Sequence, residues 1–173
     1  MIRELEDFSE HLIRFRAVTL QALESSGPED LSWRPGPDHY SLGQLFLHIA
    51  QAEDFHIRGQ FQGDWDTELI RFPDPLPTKA EILRYHEEVR ERTLEALDGL
   101  TPNELDRPVE LGPDQPDLTL RSWLWFVLEH EIHHKGQIAT YLRQMGKTSP
   151  FFATPLPKGE RPDAVLRQEL GGF

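Results

Sequence analysis

Cysteine is absent from the 173-residue chain. That removes disulfides, thiolate zinc sites, iron–sulfur clusters and a cysteine nucleophile together. Long apolar runs are absent too. The longest, Trp123 to Leu128, falls far short of the ~20 residues a membrane helix needs, so no membrane partner is expected. Met1 to Phe8 carries Arg3, Glu4, Glu6 and Asp7, unlike a signal peptide, and a cytoplasmic protein is expected. Positive charge is scarce: 18 Lys and Arg stand against 30 Asp and Glu, a formal charge of −12. A chain so acidic repels phosphate backbones, which argues against nucleic acid as a partner.

Amphipathic periodicity supplies four helices separated by proline-rich segments. The first runs from about Ile2 to Ser25 on Leu5, Phe8, Leu12, Phe15 and Ala22, and stops at Gly27-Pro28. Ser41 caps a second helix reaching about Phe61, with Leu45, Ala52 and Phe55 in an apolar row and Gln44, Gln51, Asp54 and Arg58 in a wet one. Thr78 with Glu81 forms a capping box that opens a third, through about Leu97. Thr101 to Leu118, with four prolines, reads as loop with one helical turn or a short hairpin. Thr119 caps the last and longest helix, which ends at Gly146. The whole chain, residues 1–173, reads as one all-α domain, an up-down four-helix bundle, with a proline-rich tail from about residue 149.

Histidine is where the chemistry concentrates. The eight lie at positions 11, 39, 48, 56, 86, 130, 133 and 134. His130 and His134, four apart on a helix, can reach one ion. Chance supplies about 0.4 such pairs in a chain of this composition, so spacing alone decides little. Placement adds weight: Leu120, Leu124, Val127, Ile138, Tyr141 and Met145 mark the inward face, and the pair falls among them. A single inward histidine is well explained by a bond to a core carbonyl or carboxylate. Two on adjacent turns facing one space are better explained as metal ligands.

The third ligand should come from an apolar row at similar depth on a neighbouring helix. His48 satisfies this, while His56 lies roughly 12 Å further along the axis and cannot share the ion. His133 belongs to the solvent-facing row of Glu129 and Gly136, and His11, His39 and His86 read as surface residues. Three neutral imidazoles leave a position open, as in catalytic sites. No residue stands out as a catalytic general base, because Glu53 and Asp54 point away from His48 on the helix wheel.

His130-Glu131-Ile132-His133-His134 also fits the H-E-x-x-H pattern of zinc peptidases, with Glu131 as base. Those enzymes need a further downstream ligand and a peptide-binding sheet edge. No histidine follows His134, and no strand pattern precedes it.

Leu31-Ser32-Trp33-Arg34-Pro35, Tyr40-Ser41-Leu42-Gly43-Gln44-Leu45 with His48, and the run His130 through Gly146 resemble the DinB/YfiT-like family of four-helix metalloproteins. Lys135 stands where the family usually has arginine. The resemblance implies a metal, commonly nickel or zinc, on His48, His130 and His134, and often a homodimer. It also implies a small-molecule substrate and, in relatives that are transferases or isomerases, a low-molecular-weight thiol. Metal binding would lower the pKa of such a thiol, or of water, for attack on an electrophile. A stress-associated protein that binds metal without turnover is the alternative.

Overall fold

The computed structural model describes residues 3–109 and 118–149. The expected proline-rich tail beyond residue 149 lies outside the described residues. Four long helices are present: α1 (Arg3–Ser25), α2 (Leu42–Gln62), α3 (Lys79–Asp98) and α5 (Leu120–Gln144), with a one-turn α4 (Pro102–Leu105) before the last. A two-residue antiparallel pair, β1 (Pro108–Val109) with β2 (Leu118–Thr119), lies ahead of α5, in the segment read as loop with at most a short hairpin.

The helix starts follow from their caps. The Ser41 side chain accepts from Gln44 N while the Gln44 side chain accepts from Ser41 N, and Thr78 with Glu81 repeats this exchange. Thr101 with Glu104 and Thr119 with Ser122 N cap the later helices. Each cap satisfies amides that the helix cannot pair internally. Gly63 ends α2 at φ 71°, a left-handed conformation that favours glycine.

Two apolar cores divide the bundle lengthwise. One gathers Leu5, Phe8 and Leu12 from the start of α1, Ile57 and Leu97 from the ends of α2 and α3, and Leu120 to Leu128 from the start of α5. The other gathers Ala22 and Leu23, Leu42 to Ile49, Ile82, and Ile138 to Leu142. The helix directions are therefore up, down, down, up. This refines the expected up-down bundle: the step from α2 to α3 keeps direction. Helix α2 packs on α3 and α5, and α1 packs on the same two.

The parallel step requires the connection to travel back along α2, whose 21 residues span about 31 Å. Residues 63–78 can reach roughly 50 Å when extended, which suffices. Trp65 packs so closely on Gly59 that a β-carbon there would lie 2.3 Å from its ring. Further along, Gln51 Nε2 donates to Arg71 O at 2.7 Å, and Leu76 fits against Gly43. The segment thereby becomes a wall along α2. Among the described residues, no helix is long and apolar enough to cross a membrane.

Candidate metal centre

Between the two cores lies a polar layer, and α5 faces it on two sides. On one side Glu131 is buried with Arg16, Glu53 and Arg90. Glu131 Oε1 accepts from Arg16 Nε at 3.1 Å and Thr19 Oγ1 at 2.8 Å, and Oε2 from Arg16 Nη2 at 3.1 Å and Arg90 Nη2 at 2.9 Å. Glu53 accepts from Arg90 Nε, Arg90 Nη2, Arg16 Nη2 and Thr93 Oγ1 at 2.5–3.0 Å. Burial alone would raise the Glu131 pKa, but the two guanidiniums outweigh it and hold the group at about 2. Such a carboxylate cannot take up a proton near neutral pH. The peptidase reading loses its base here.

On the other side are the imidazoles. His48 from α2 and His130 and His134 from α5 offer ring nitrogens that all lie within 4.8 Å of one another. His130 Nε2 is 3.2 Å from His48 Nε2 and 3.0 Å from His134 Nε2. Ligand nitrogens ~2.05 Å from a tetrahedral centre lie roughly 3.3 Å apart, so these spacings fit one ion.

The donor set fits as well. His134 Nδ1–H donates to Gln137 Oε1 at 2.8 Å, which leaves a lone pair on Nε2. If His130 Nε2–H donates to that lone pair, it has none left for His48. If His48 donates to His130, the His130–His134 contact opposes two lone pairs. Only one of the two close contacts can be a hydrogen bond, whereas a cation satisfies all three nitrogens. Burial lowers the pKa of His48 to about 4 and that of His130 to about 3, with the neighbouring histidines adding to it. Burial also lowers that of His134. Neutral imidazole is the ligand form.

The remaining histidines sort differently. His133 is exposed and meets Gln137 Nε2 at 3.3 Å through its own Nε2, outside the cluster, and His39 is exposed. His11 is half-buried, its Nδ1–H donating to Asp7 O at 2.7 Å. His56 is half-buried and also outside the cluster. His86 departs from the surface expectation: it is fully buried, and Nε2–H donates to Phe46 O at 2.8 Å. Arg84, Glu87 and Glu88 beside it in sequence are charged, but its neighbours on the helix face are Ile82, Leu83, Val89 and Arg90, and Arg90 folds inward to Glu53. The wet row of α2 is corrected for the same reason. Gln51 and Asp54 are buried, with Asp54 accepting from Tyr85 Oη at 2.9 Å and from Arg58 and Arg92 at 3.0 Å each.

Aromatic side chains that the sequence reading did not assign to the site surround the cluster. Tyr40 lies 5.5 Å from the His48 ring, and Phe72, on the returning connection, lies 6.3 Å from it. His56 packs edge-on against Trp123 at 5.0 Å and Phe126 at 5.4 Å. Only the path of residues 63–78 brings Phe72 here, and periodicity says nothing about that path. Gln137 was legible in principle, as a polar residue one turn beyond His134.

A sequence profile of the DinB superfamily matches residues 11–138. The chain belongs to the DinB superfamily. The superfamily relative YjoA of Bacillus subtilis (strain 168) is 28% identical over 144 residues, covering 82% of this chain and 92% of that protein. The crystal structure of the DinB-like YjoA superposes with a TM-score of 0.68 at 26% identity, covering 86% of this chain and 99% of that one. A DinB-like protein from Bacillus cereus gives 0.68 at 24% identity, over 83% of this chain and 94% of the other. YfiT from Bacillus subtilis, described as a probable metal-dependent hydrolase with an unusual four-helix bundle topology, gives 0.65 at 16% identity, over 86% and 91%. The last two likenesses speak for the fold.

Proposed function

We propose that this DinB-superfamily protein is a metal-dependent enzyme that activates water or a small thiol for attack on a small electrophilic substrate. The observation that carries the reading is the trio of Nε2 atoms whose close contacts cannot all be hydrogen bonds. His48, His130 and His134 would hold the ion, and three neutral nitrogens suit nickel or zinc. A divalent ion at such a site lowers the pKa of a coordinated thiol or water.

The chain's own residues do the rest. Gln137 fixes the His134 tautomer and ring plane by accepting from Nδ1–H. The Arg16–Glu53–Arg90–Glu131 cluster ties all four long helices at the same depth, which holds α5 in register with α2. Tyr40 and Phe72 give His48 an apolar flank. Among the described residues the cluster consists of histidines alone, with no carboxylate in it. The description of YfiT as a probable metal-dependent hydrolase points the same way.

The test is elemental analysis of protein purified in chelator-treated buffer and then dialysed against nickel or zinc. Paired assays on activated esters and on thiol conjugation, with and without metal, follow. One divalent ion per chain and activity only in the loaded protein are expected. Failure to take up metal, or equal rates without it, would overturn the reading, and the assay that responds separates water from thiol.

A further inference from the structure

Beside the histidine cluster, three polar nitrogens are shut off from solvent without a hydrogen-bond partner: Trp123 Nε1, His56 Nδ1 and Gln60 Nε2. They belong to one patch. His56 and Gln60 sit one turn apart on α2, and the Trp123 ring stands perpendicular to His56 at 5.0 Å. Trp123 is only 8% exposed, so its N–H has no alternative in water. Buried indole N–H groups ordinarily find an acceptor, and unpaired donors in a folded interior call for an explanation. The Trp123 and Gln60 nitrogens can only donate, and neutral His56 can place its proton on Nδ1. Among the described residues no acceptor, the Gln60 Oε1 and His56 Nε2 of the patch itself included, meets any of these three nitrogens.

Charge and shape narrow what would supply one. The chain is strongly acidic, yet burial is the cause that shifts His56, and no carboxylate acts on it. Arg107 Nη2 donates to Gln60 O at 2.8 Å, bringing a cation to the end of α2. Aromatic surface closes the patch: Trp65 lies 6.4 Å from Trp123 and Phe126 lies 5.3 Å from it, each about two-fifths exposed. Gly59 lets Trp65 lie flat on α2. We propose that the patch of His56, Gln60 and Trp123 binds the carboxylate of a flat apolar small molecule, with Trp65 and Phe126 covering its body. This rests on the reading of the histidine cluster as the reactive centre and gives its substrate class: an aromatic or similarly flat carboxylic acid. The acid group is anchored at the patch, two helical turns along α2 from His48.

The experiment uses metal-free full-length protein with 15N-labelled indoles, titrated with phenylacetate and, separately, with neutral 2-phenylethanol. The Trp123 indole N–H signal is expected to move downfield and saturate with phenylacetate. The Trp33 signal, from the opposite core against Tyr141, should stay fixed. Gln60→Leu should weaken phenylacetate binding about tenfold. A Trp123 signal that stays fixed up to the solubility limit overturns the proposal. So do equal shifts with the alcohol, or an unchanged affinity in Gln60→Leu. Metal uptake by the same variant is measured in parallel and should match the wild type. Absence of metal from the wild-type protein would sink the metal reading alone, because the titration is read without metal.

Discussion

Glu131 and His130 are neighbours in sequence and sit in the same polar layer, yet their surroundings differ in kind. Around Glu131 each carboxylate oxygen has its donors, two positive charges meet two negative ones, and four helices each contribute, with Arg90 Nη1 left unpaired among the described residues. Around His130 the close contacts exceed the hydrogen bonds available, and the donors at Trp123 and Gln60 have no acceptor. A satisfied buried network specifies and rigidifies a fold; an unsatisfied one keeps valence for something the chain does not supply. The first cluster acts as a frame, and the second is the site proposed above.

The largest effect that tests this contrast is on stability. Glu131→Ala leaves Arg16 and Arg90 buried with half their partners, which costs about 3–5 kcal/mol. Urea denaturation of the metal-free variant should show that loss, and a loss under about 1 kcal/mol would mean the cluster is not the frame.

Acid should attack the same frame. His86, buried against the Phe46 carbonyl, has its pKa lowered from 6.5 to about 3, chiefly by burial and then by Arg16. Glu131 is held at about 2 against an ordinary 4.5. Both folded values lie below the unfolded ones, so both contributions are complete above the unfolded pKa and are lost as pH falls. Stability should be level above about pH 6.5. Below that His86 begins to withdraw its share, and below about 4.5 Glu131 follows. His86→Gln, which keeps a donor near Phe46 O, should make the decline between pH 6.5 and 4.5 shallower, the rest of it belonging to His48, His56, His130 and His134, whose pKa values burial also lowers. An unchanged slope there would remove His86 from the account.

The second cluster should respond in the opposite sense. His130→Ala removes one of three ligands and should abolish tight metal uptake, while costing the metal-free fold no more than about 1 kcal/mol, because the apolar rows around it remain. If the variant keeps full metal occupancy, the three imidazoles do not form the site. If instead it unfolds as readily as Glu131→Ala, the two clusters are not distinct in kind.

How much of this was legible in the sequence follows from the physics of each element. The four helices and their caps were, because amphipathic periodicity and capping boxes are local. The trio of His48, His130 and His134 emerged because each ligand falls on or beside an apolar row at matching depth. The inward face of α5 was read a little off phase. Its buried centre includes Trp123, Leu128, Glu131 and Lys135, and the histidine pair lies toward one flank, with His130 half-buried. Charged residues were assigned outward by default, and that default fails where opposite charges from four helices meet. Arg16, Glu53, Arg90 and Glu131 are far apart in sequence, so their pairing has no local signature. The direction of α3 and the position of Phe72 depend on where residues 63–78 run, which composition does not specify.

The smallest effects lie one step outside the trio, at Gln137 and His133. Gln137 accepts from His134 Nδ1–H at 2.8 Å and, through its own Nε2–H, donates to His133 Nε2 at 3.3 Å. The first contact orients a ligand; the second holds only the amide. Gln137→Ala should therefore weaken metal binding by about 10–100-fold with the stoichiometry unchanged, the usual cost of losing a group that orients a ligand. His133→Ala removes an exposed ring whose role passes through a bond the amide can replace with water. It should leave both metal content and affinity within about twofold of the wild type. Competition titrations against a chromophoric chelator resolve the two variants. If His133→Ala loses metal and His134→Ala keeps it, the rotation of α5 assigned here is off by one residue. The contrast between its two faces would then have to be redrawn.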